Sequence, residues 1–390
     1  MAVTLEAAIV LTDAPESLPE VLGLATPLRL VLALGKVGVT RVTLVGEAAA
    51  AWQQRLLGDD RLAVTLDVAP AVPQGVGLCL DGTALFDVKA LRGLVDGPDG
   101  AALFDGRFLA ARCRLGVNPG DPLVHPERVS LPGVAQRVVT AADARRAEDA
   151  LLESLRKPQD GVISRNLNRY ISLAVTRRLA RLGLRPNQVS VGILAMGLAG
   201  AWLASTGSHA ALALGGLAFQ AQSVLDGCDG ELSRVAFRGS RLGEWIDTVG
   251  DDVTNYSFFA GAMLGLRAMG LGAVATPAGL VGLCAGVLCS AIEYRYLVAI
   301  GSGDLNRYPL GFGQDFDGPS DAEARGLKRL AGLLRPAFKR DFFVFATMLA
   351  CFAGPRAVLV MLVLFAAGAV LTLSAVLRAE WSRGFKLPPS

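Results

Sequence analysis

Of the 390 residues 52% are hydrophobic, more than an ordinary globular chain carries and enough for a membrane protein with a further domain. The 38 Lys and Arg against 35 Asp and Glu leave a formal charge of +3, too small to point to nucleic acid. Six cysteines show no C-x-x-C or zinc spacing, which argues against a disulfide framework or a structural zinc site.

Residues 1–140 read as a soluble α/β domain. The first ten lack the basic start of a cleavable signal peptide, and their apolar run soon meets Asp13 and Pro15, so no leader is expected. Short buried strands are predicted at 7–11 and 42–45 with a helix over 27–36 between them, and further strands at 63–68 and 76–80. This alternation predicts a mostly parallel sheet. Asp81, closing a strand-like run, reads as a turn residue.

Residues 141–188 form a linker. A charged, helix-prone stretch at 141–156 is broken by Pro158 and Gly161 before a second helix, predicted at 166–182. That helix sets Leu167, Ile171, Ala174, Val175 and Leu179 against Arg169, Arg177, Arg178 and Arg181, a pattern suited to lying on the inner leaflet of a membrane.

From 189 to 390 the sequence predicts an α-helical integral membrane domain with six transmembrane helices. The apolar stretches are 189–206, 210–228, 244–266, 271–294, 341–354 and 357–377, against roughly 20 helical residues needed to cross the hydrocarbon layer. The fifth is short and ends at Pro355, so it is either extended by residues 333–338 or folded into a tight hairpin with the sixth. Lys and Arg crowd the segment before the first stretch and the second-to-third and fourth-to-fifth loops, while the opposite loops hold only Arg267 and Arg356. The positive-inside rule therefore expects the N-terminal domain and the C-terminus on the cytoplasmic side, in the inner (plasma) membrane of the cell.

The chemistry is concentrated at the second-to-third loop. Asp226 and Asp229 are three apart, Asp247 and Asp251 four apart, so on helices each pair shares one face. Four mutually repelling carboxylates beside an apolar layer call for a cation. Their hard oxygens, with no His or Cys cluster nearby, favour Mg²⁺ or Mn²⁺ over zinc. Arg234 would add a positive group for phosphate oxygens, and glycines on the same faces leave room for a pyrophosphate. Cys228 points away from the ligand positions and reads as packing; Asp252 reads as an ordinary helix-face or solvated residue. Lys157, Arg165 and Arg169, and Lys339 and Arg340, are candidates for an acceptor phosphate, although a cationic membrane border explains them as well.

The run Asp226-x2-Asp229-Gly230-x2-Ser233-Arg234-x8-Gly243-x3-Asp247-x3-Asp251 resembles the signature of the CDP-alcohol phosphotransferase family of membrane enzymes, D-x2-D-G-x2-A-R-x8-G-x3-D-x3-D. Ser233 stands where the family has Ala, a small-for-small change. Pro186-Asn187-Gln188-Val189-Ser190 is similar to the family's Pro-Asn-x-Val-Ser/Thr start of the first membrane helix. The resemblance implies that Asp226, Asp229 and Asp247 are metal ligands, that Asp251 is a ligand and the catalytic base, and that Gly230, Arg234 and Gly243 line the CDP site. It implies a CDP-alcohol donor, an acceptor alcohol, membrane lipid around the chain, a homodimer and release of CMP.

The stretch 26–46 resembles the opening of sugar-phosphate nucleotidyltransferases, which some members carry fused in front, notably in di-myo-inositol-phosphate-phosphate synthesis. Where active enzymes have a Gly-rich basic loop after the first strand, this chain has residues 12–20, with Asp13, Glu16 and Glu20 and no glycine, Lys or Arg. Such a loop repels a triphosphate, so the domain is expected to be inactive in nucleotidyl transfer. The reading favours CDP-inositol with an inositol phosphate acceptor. The alternatives are a CDP-diacylglycerol-dependent phospholipid synthase, a non-catalytic membrane scaffold, or a transporter, against which stands the absence of a detectable internal repeat.

Overall fold

The computed structural model describes residues 5–97, 100–104, 107–112, 129–156, 162–309 and 340–385. Two compact units divide the chain: Met1–Arg156 with Arg177–Gly183 and Arg234–Arg238, and Lys157–Thr176 with Leu184–Ser233 and Gly239–Ser390.

The first unit is α/β. Its strands are β1 (Glu6–Val10), β2 (Glu20–Val21), β3 (Leu24–Ala25), β4 (Arg41–Val45), β5 (Thr65–Ala69), β6 (Leu78–Asp81), β7 (Ala84–Phe86), β8 (Gly100–Phe104), β9 (Arg107–Arg112) and β10 (Ala135–Arg137). The main sheet runs β5-β4-β1-β6-β9-β8. Its first four strands are parallel, with Ile9 opposite Leu44 and Leu80, and β9 and β8 add on antiparallel. The predicted strands thus fall on β1, β4, β5 and β6, shifted by a residue or two. The paired short strands β2–β3 and β7–β10 escape sequence reading because two or three residues show no period.

Helices α1 (Thr26–Lys36), α2 (Ala49–Leu56) and α3 (Val88–Asp96) carry this unit's helical core residues. Leu30, Val31 and Leu34 of α1, Trp52 and Leu56 of α2, and Leu91 and Leu94 of α3 join Ile9, Leu44 and Leu80 of the sheet in one buried cluster. Pro27 starts α1 where its missing N–H costs nothing. Helix α4 (Ala141–Glu153) begins with a reciprocal cap: the Asp143 N–H donates to Thr140 Oγ1 at 3.2 Å and the Thr140 N–H donates to Asp143 Oδ2 at 2.9 Å. Asp81 closes the bend after β6, its Oδ1 accepting from the Thr83 N–H at 2.7 Å and hydroxyl at 2.6 Å.

The second unit is helical. A π-turn at Ser164–Asn168 leads into α5 (Arg169–Arg181), followed by α6 (Pro186–Ser205), α7 (His209–Leu225), α8 (Gly227–Val235), α9 (Arg241–Leu266), α10 (Gly272–Ile300), α11 (Arg340–Ala353) and α12 (Pro355–Ser382). Both α5 and α8 have their C-terminal ends in the first unit. Helix occupies each of the six stretches predicted to cross a membrane. Among the described residues three helical segments are long and apolar enough to do so: Pro186–Ser205, Arg241–Ile300 and Pro355–Ser382. The second of these is 60 residues, α9 and α10 joined through a π-turn in which Gly270 takes φ 84°. Helix α7, with 17 residues, and α11, with 14, rise only about 26 and 21 Å against a hydrocarbon layer of about 30 Å. Helices α11 and α12 form the tight hairpin, turning at Gly354 with φ 122°, a backbone that favours glycine. Residues 333–338 lie outside the described residues.

Helix α6 packs on α7 and α9, α10 on α9 and α12, and α11 on α7. The seam between α6 and α9 is closed by glycine: a β-carbon at Gly261 or Gly265 would collide with the carbonyl oxygen of Ala201 or Ala204. Aromatic rings fill the middle, with Phe219 stacked on Phe258 at 4.2 Å and Phe259 on Phe365 at 4.1 Å between centroids.

Candidate active site

Asp226 caps the C-terminus of α7, Asp229 lies in the first turn of α8, and Asp247 and Asp251 lie one turn apart on α9. Helix α9 starts at Ser240, whose Oγ accepts from the Gly243 N–H at 3.0 Å. Asp226 faces Asp251 and Asp247. Arg340, at the start of α11, grips Asp251 with both terminal nitrogens, Nη2 to Oδ1 at 2.7 Å, and holds Nη1 3.5 Å from Asp226 Oδ2. One guanidinium therefore bridges carboxylates from two helices. Asp247 is exposed at the edge of this group.

Asp229 is buried and turned elsewhere. Its Oδ2 accepts from the Ser190 hydroxyl at 2.5 Å and its Oδ1 from the Gly230 N–H at 2.6 Å. Ser190, quoted above as part of the Pro186–Ser190 start of α6, thus acquires a role that only its contact reveals. Gly243 lies close to that start too: an added β-carbon would stand 3.3 Å from Asn187 Oδ1. Arg234 is exposed near the end of α8.

Among the described residues no three His, Cys, Asp or Glu side chains converge as a preformed metal cage. Bare carboxylates repel one another, and here a single positive charge is shared between two of them. The donor set fits a hard divalent ion: four oxygen-bearing side chains on adjacent helix ends with no imidazole or reactive thiolate among them. Cys228 is buried, its Sγ 3.5 Å from Ser172 O, as a packing residue.

The other basic candidates fare differently. Arg165 is exposed on the π-turn. Arg169 is buried and paired with Glu231, Nη1 to Oε1 at 2.5 Å. Glu231 also accepts from Ser172 Oγ at 2.9 Å and Thr176 Oγ1 at 2.7 Å, so a fully buried carboxylate inside the signature run has three partners on α5. Sequence reading passed over Glu231 because it fills a variable position of the pattern. Lys157 and Lys339 lie outside the described residues.

Asp252 corrects an expectation. It is not a solvated helix-face residue: Ser290 Oγ donates to it at 2.5 Å and Tyr294 Oη at 2.6 Å, while Tyr256 Oη lies 2.7 Å from Ser290 Oγ. This side of α9 is sewn to α10, and Asp247 and Asp251 lie on the face next to it, about 100° round the helix. The Thr248 hydroxyl extends the seam by donating to Gly303 O at 2.6 Å.

Carboxylates from two packed apolar helices thus share one guanidinium, that of Arg340. Residues 184–309 match the sequence model of the family described as CDP-alcohol phosphatidyltransferase. The chain is 34% identical over 131 residues to the bifunctional IPC transferase and DIPP synthase of Aquifex aeolicus, covering 33% of this chain and 29% of that one. It is 37% identical over 124 residues to the protein of the same description from Archaeoglobus fulgidus, covering 32% and 24%. The chain therefore spans less than a third of the length of these two relatives in the matched stretch. Among solved structures it is similar to Mycobacterium tuberculosis phosphatidylinositol phosphate synthase with CDP-DAG bound, at 20% identity and TM-score 0.38, over 55% of this chain and 94% of that one.

Proposed function

We propose that the helical unit transfers a substituted phosphate group from a CDP-alcohol to an acceptor alcohol, releasing CMP. The observation that supports this most directly is the meeting of Asp226 and Asp251, from different helices, on one cation, the Arg340 guanidinium. Asp226, Asp229, Asp247 and Asp251 would hold Mg²⁺ or Mn²⁺, which when bound draws charge from the pyrophosphate oxygens and from the departing CMP. Gly230 and Gly243 leave space for the donor, and Arg234 offers a guanidinium to its phosphate oxygens. Asp251 accepts the proton of the acceptor hydroxyl as that oxygen bonds to the β-phosphorus. The bond from this phosphorus to the oxygen of the CMP phosphate breaks, and CMP carries that oxygen away. Arg340 and Arg165 are the described exposed or half-exposed basic candidates for an acceptor phosphate, with Lys339 next to Arg340 and Lys157 eight residues before Arg165 in sequence; Arg169 is committed to Glu231.

Similarity to proteins named IPC transferase and DIPP synthase favours CDP-inositol as donor and an inositol phosphate as acceptor. Six crossings, a cytoplasmic active site in the plasma membrane and a homodimer complete the reading, supported by the helix at each predicted stretch and by the one-sided Lys and Arg distribution. The α/β unit takes no part in nucleotidyl transfer. Its loop after β1 is closed on itself and on α2, with Asp13 O accepting from Trp52 Nε1 at 2.8 Å and Pro15 O from Arg55 Nη1 at 2.9 Å. The test is CMP release by the purified full chain from CDP-inositol and from CDP-diacylglycerol, with an inositol phosphate acceptor. CMP should appear with Mg²⁺ or Mn²⁺, vanish in EDTA and return when metal is restored. Full turnover in EDTA rejects the metal, and no CMP from either donor rejects the reaction.

A further inference from the structure

Residues 234–238, the last two of α8 and the three that follow it, lie inside the signature, yet they belong to the α/β unit. Phe237 packs against that unit's hydrophobic core. The Arg29 guanidinium carbon lies 5.6 Å from the centre of its ring, and Arg29, buried in α1, is anchored by Nη2 donating to Val21 O at 2.9 Å. Arg61 completes the hold. Its backbone N–H and Nε donate to Asp59 Oδ1 at 3.0 and 2.7 Å and its Nη2 to Oδ2 at 2.5 Å, which aims the remaining nitrogen, Nη1, at Ala236 O at 2.8 Å.

The backbone carries a second, independent sign. Phe237 takes φ 54°, a left-handed conformation that a residue with a β-carbon adopts only under strain. Such strain persists where its surroundings over-determine it, and it gathers at functional positions. A passive connector between two helices needs neither a strained aromatic residue nor an arginine prepositioned by three bonds to one carboxylate.

We propose that the N-terminal α/β fold is a clamp on the 234–238 segment, which fixes Arg234 for the CDP-alcohol, with Phe237 and Arg61 as positioning residues. The part concerning the donor rests on the reading of Arg234 as a CDP-site residue. A guanidinium held in place meets the donor phosphates without first losing the freedom of its own backbone, so loosening the segment weakens donor binding more than the chemical step.

The test uses the full chain with Phe237→Ala, Arg61→Ala and, as the conservative rescue, Phe237→Tyr, and takes two measurements. Amide hydrogen exchange in 234–238 should accelerate at least about tenfold in both alanine variants while β1 and β4 stay protected, showing an intact fold. The KM for the CDP-alcohol should rise about tenfold with kcat within about twofold, and Phe237→Tyr should restore both. Arg61→Ala leaves the Phe237 packing in place, so it serves where Phe237→Ala fails to fold. Unchanged exchange at 234–238 in Arg61→Ala and in the folded Phe237→Ala overturns the clamp, and faster exchange with an unmoved KM overturns the positioning of the donor. Should the wild type release no CMP, the reaction reading falls while the exchange measurement still decides the clamp.

Discussion

Trp52, Phe86, Ile9, Leu34 and Leu44 are fully buried in the α/β unit, whereas in the helical unit Leu371, Trp202 and Val298 point outward, each about two-thirds or more exposed, and the α6–α9 seam brings Gly261 and Gly265 against Ala201 and Ala204. The same apolar residues serve opposite ends. In the first unit water drives them inward, and each large side chain contributes roughly 1.5–3 kcal/mol on burial. Helices surrounded by lipid gain little from hiding leucine, so they are held by close backbone approach and by interior polar bonds. Charge does not follow this division: the α/β unit buries Arg29 and Glu148, and the helical unit buries Glu231 and half-buries Asp226 and Asp251.

The largest effect expected from this contrast is on the reaction. Asp226→Ala and Asp247→Ala should abolish CMP release while the protein still inserts. Asp251→Asn should keep metal affinity, read by titration calorimetry with Mn²⁺, better than turnover, which should fall about 10²–10⁴-fold. Alanine at Asp13, Glu16 and Glu20 of the α/β unit should leave CMP release unchanged. Near-normal turnover in Asp251→Asn would remove its role as base.

Stability separates the units next. Trp52→Ala should cost roughly 3–5 kcal/mol in the α/β unit, and Leu371→Ala less than about 0.5 kcal/mol in the helical unit, measured by unfolding in detergent. Equal losses would erase the distinction between water-driven and contact-driven packing. Gly261→Val, which forces a side chain against Ala201 O, should cost at least about 1–3 kcal/mol, while Gly192→Ala, which meets nothing within 4 Å, should be neutral or gain up to about 1 kcal/mol.

The smallest effect sharpens the α/β side alone. Hydrogen bonds from the Thr140 backbone and hydroxyl, with a further one from Arg146, hold the Asp143 carboxyl down at about 2. Because the folded value lies below the ordinary one of about 3.9, the cap's contribution is full above pH of about 4 and is lost as pH falls towards 2. Thr140→Ala should cost about 1 kcal/mol near neutral pH, and Asp143→Asn should flatten the wild-type loss of thermal stability between pH 4 and 2. Parallel pH profiles for wild type and Asp143→Asn would show the cap to be idle.

Spacing was legible in the sequence because it is local. Asp247 and Asp251, four apart inside α9, share a helix face whatever the rest of the chain does, whereas Asp226 and Asp229 are parted by the junction of α7 and α8; an alternation of short strands with helices commits the first unit to a largely parallel sheet. Partner choice was not legible. Ser190 is 39 residues from Asp229, and Arg169 is 62 from Glu231, so no periodicity links them. Asp252 read as incidental because its partners, Ser290 and Tyr294, lie on another helix.

By itself, then, the sequence determined the helix at every apolar stretch, the α/β character of the first unit and the one-turn spacing of Asp247 and Asp251 on α9, all set by covalent spacing and backbone geometry. Only the tertiary structure decided that Arg340 is the cation between Asp226 and Asp251, that Arg169 is spent on Glu231, and that residues 234–238 join the α/β unit. These follow from which buried groups find a partner when distant segments pack, since an unpaired charge costs far more inside than in water.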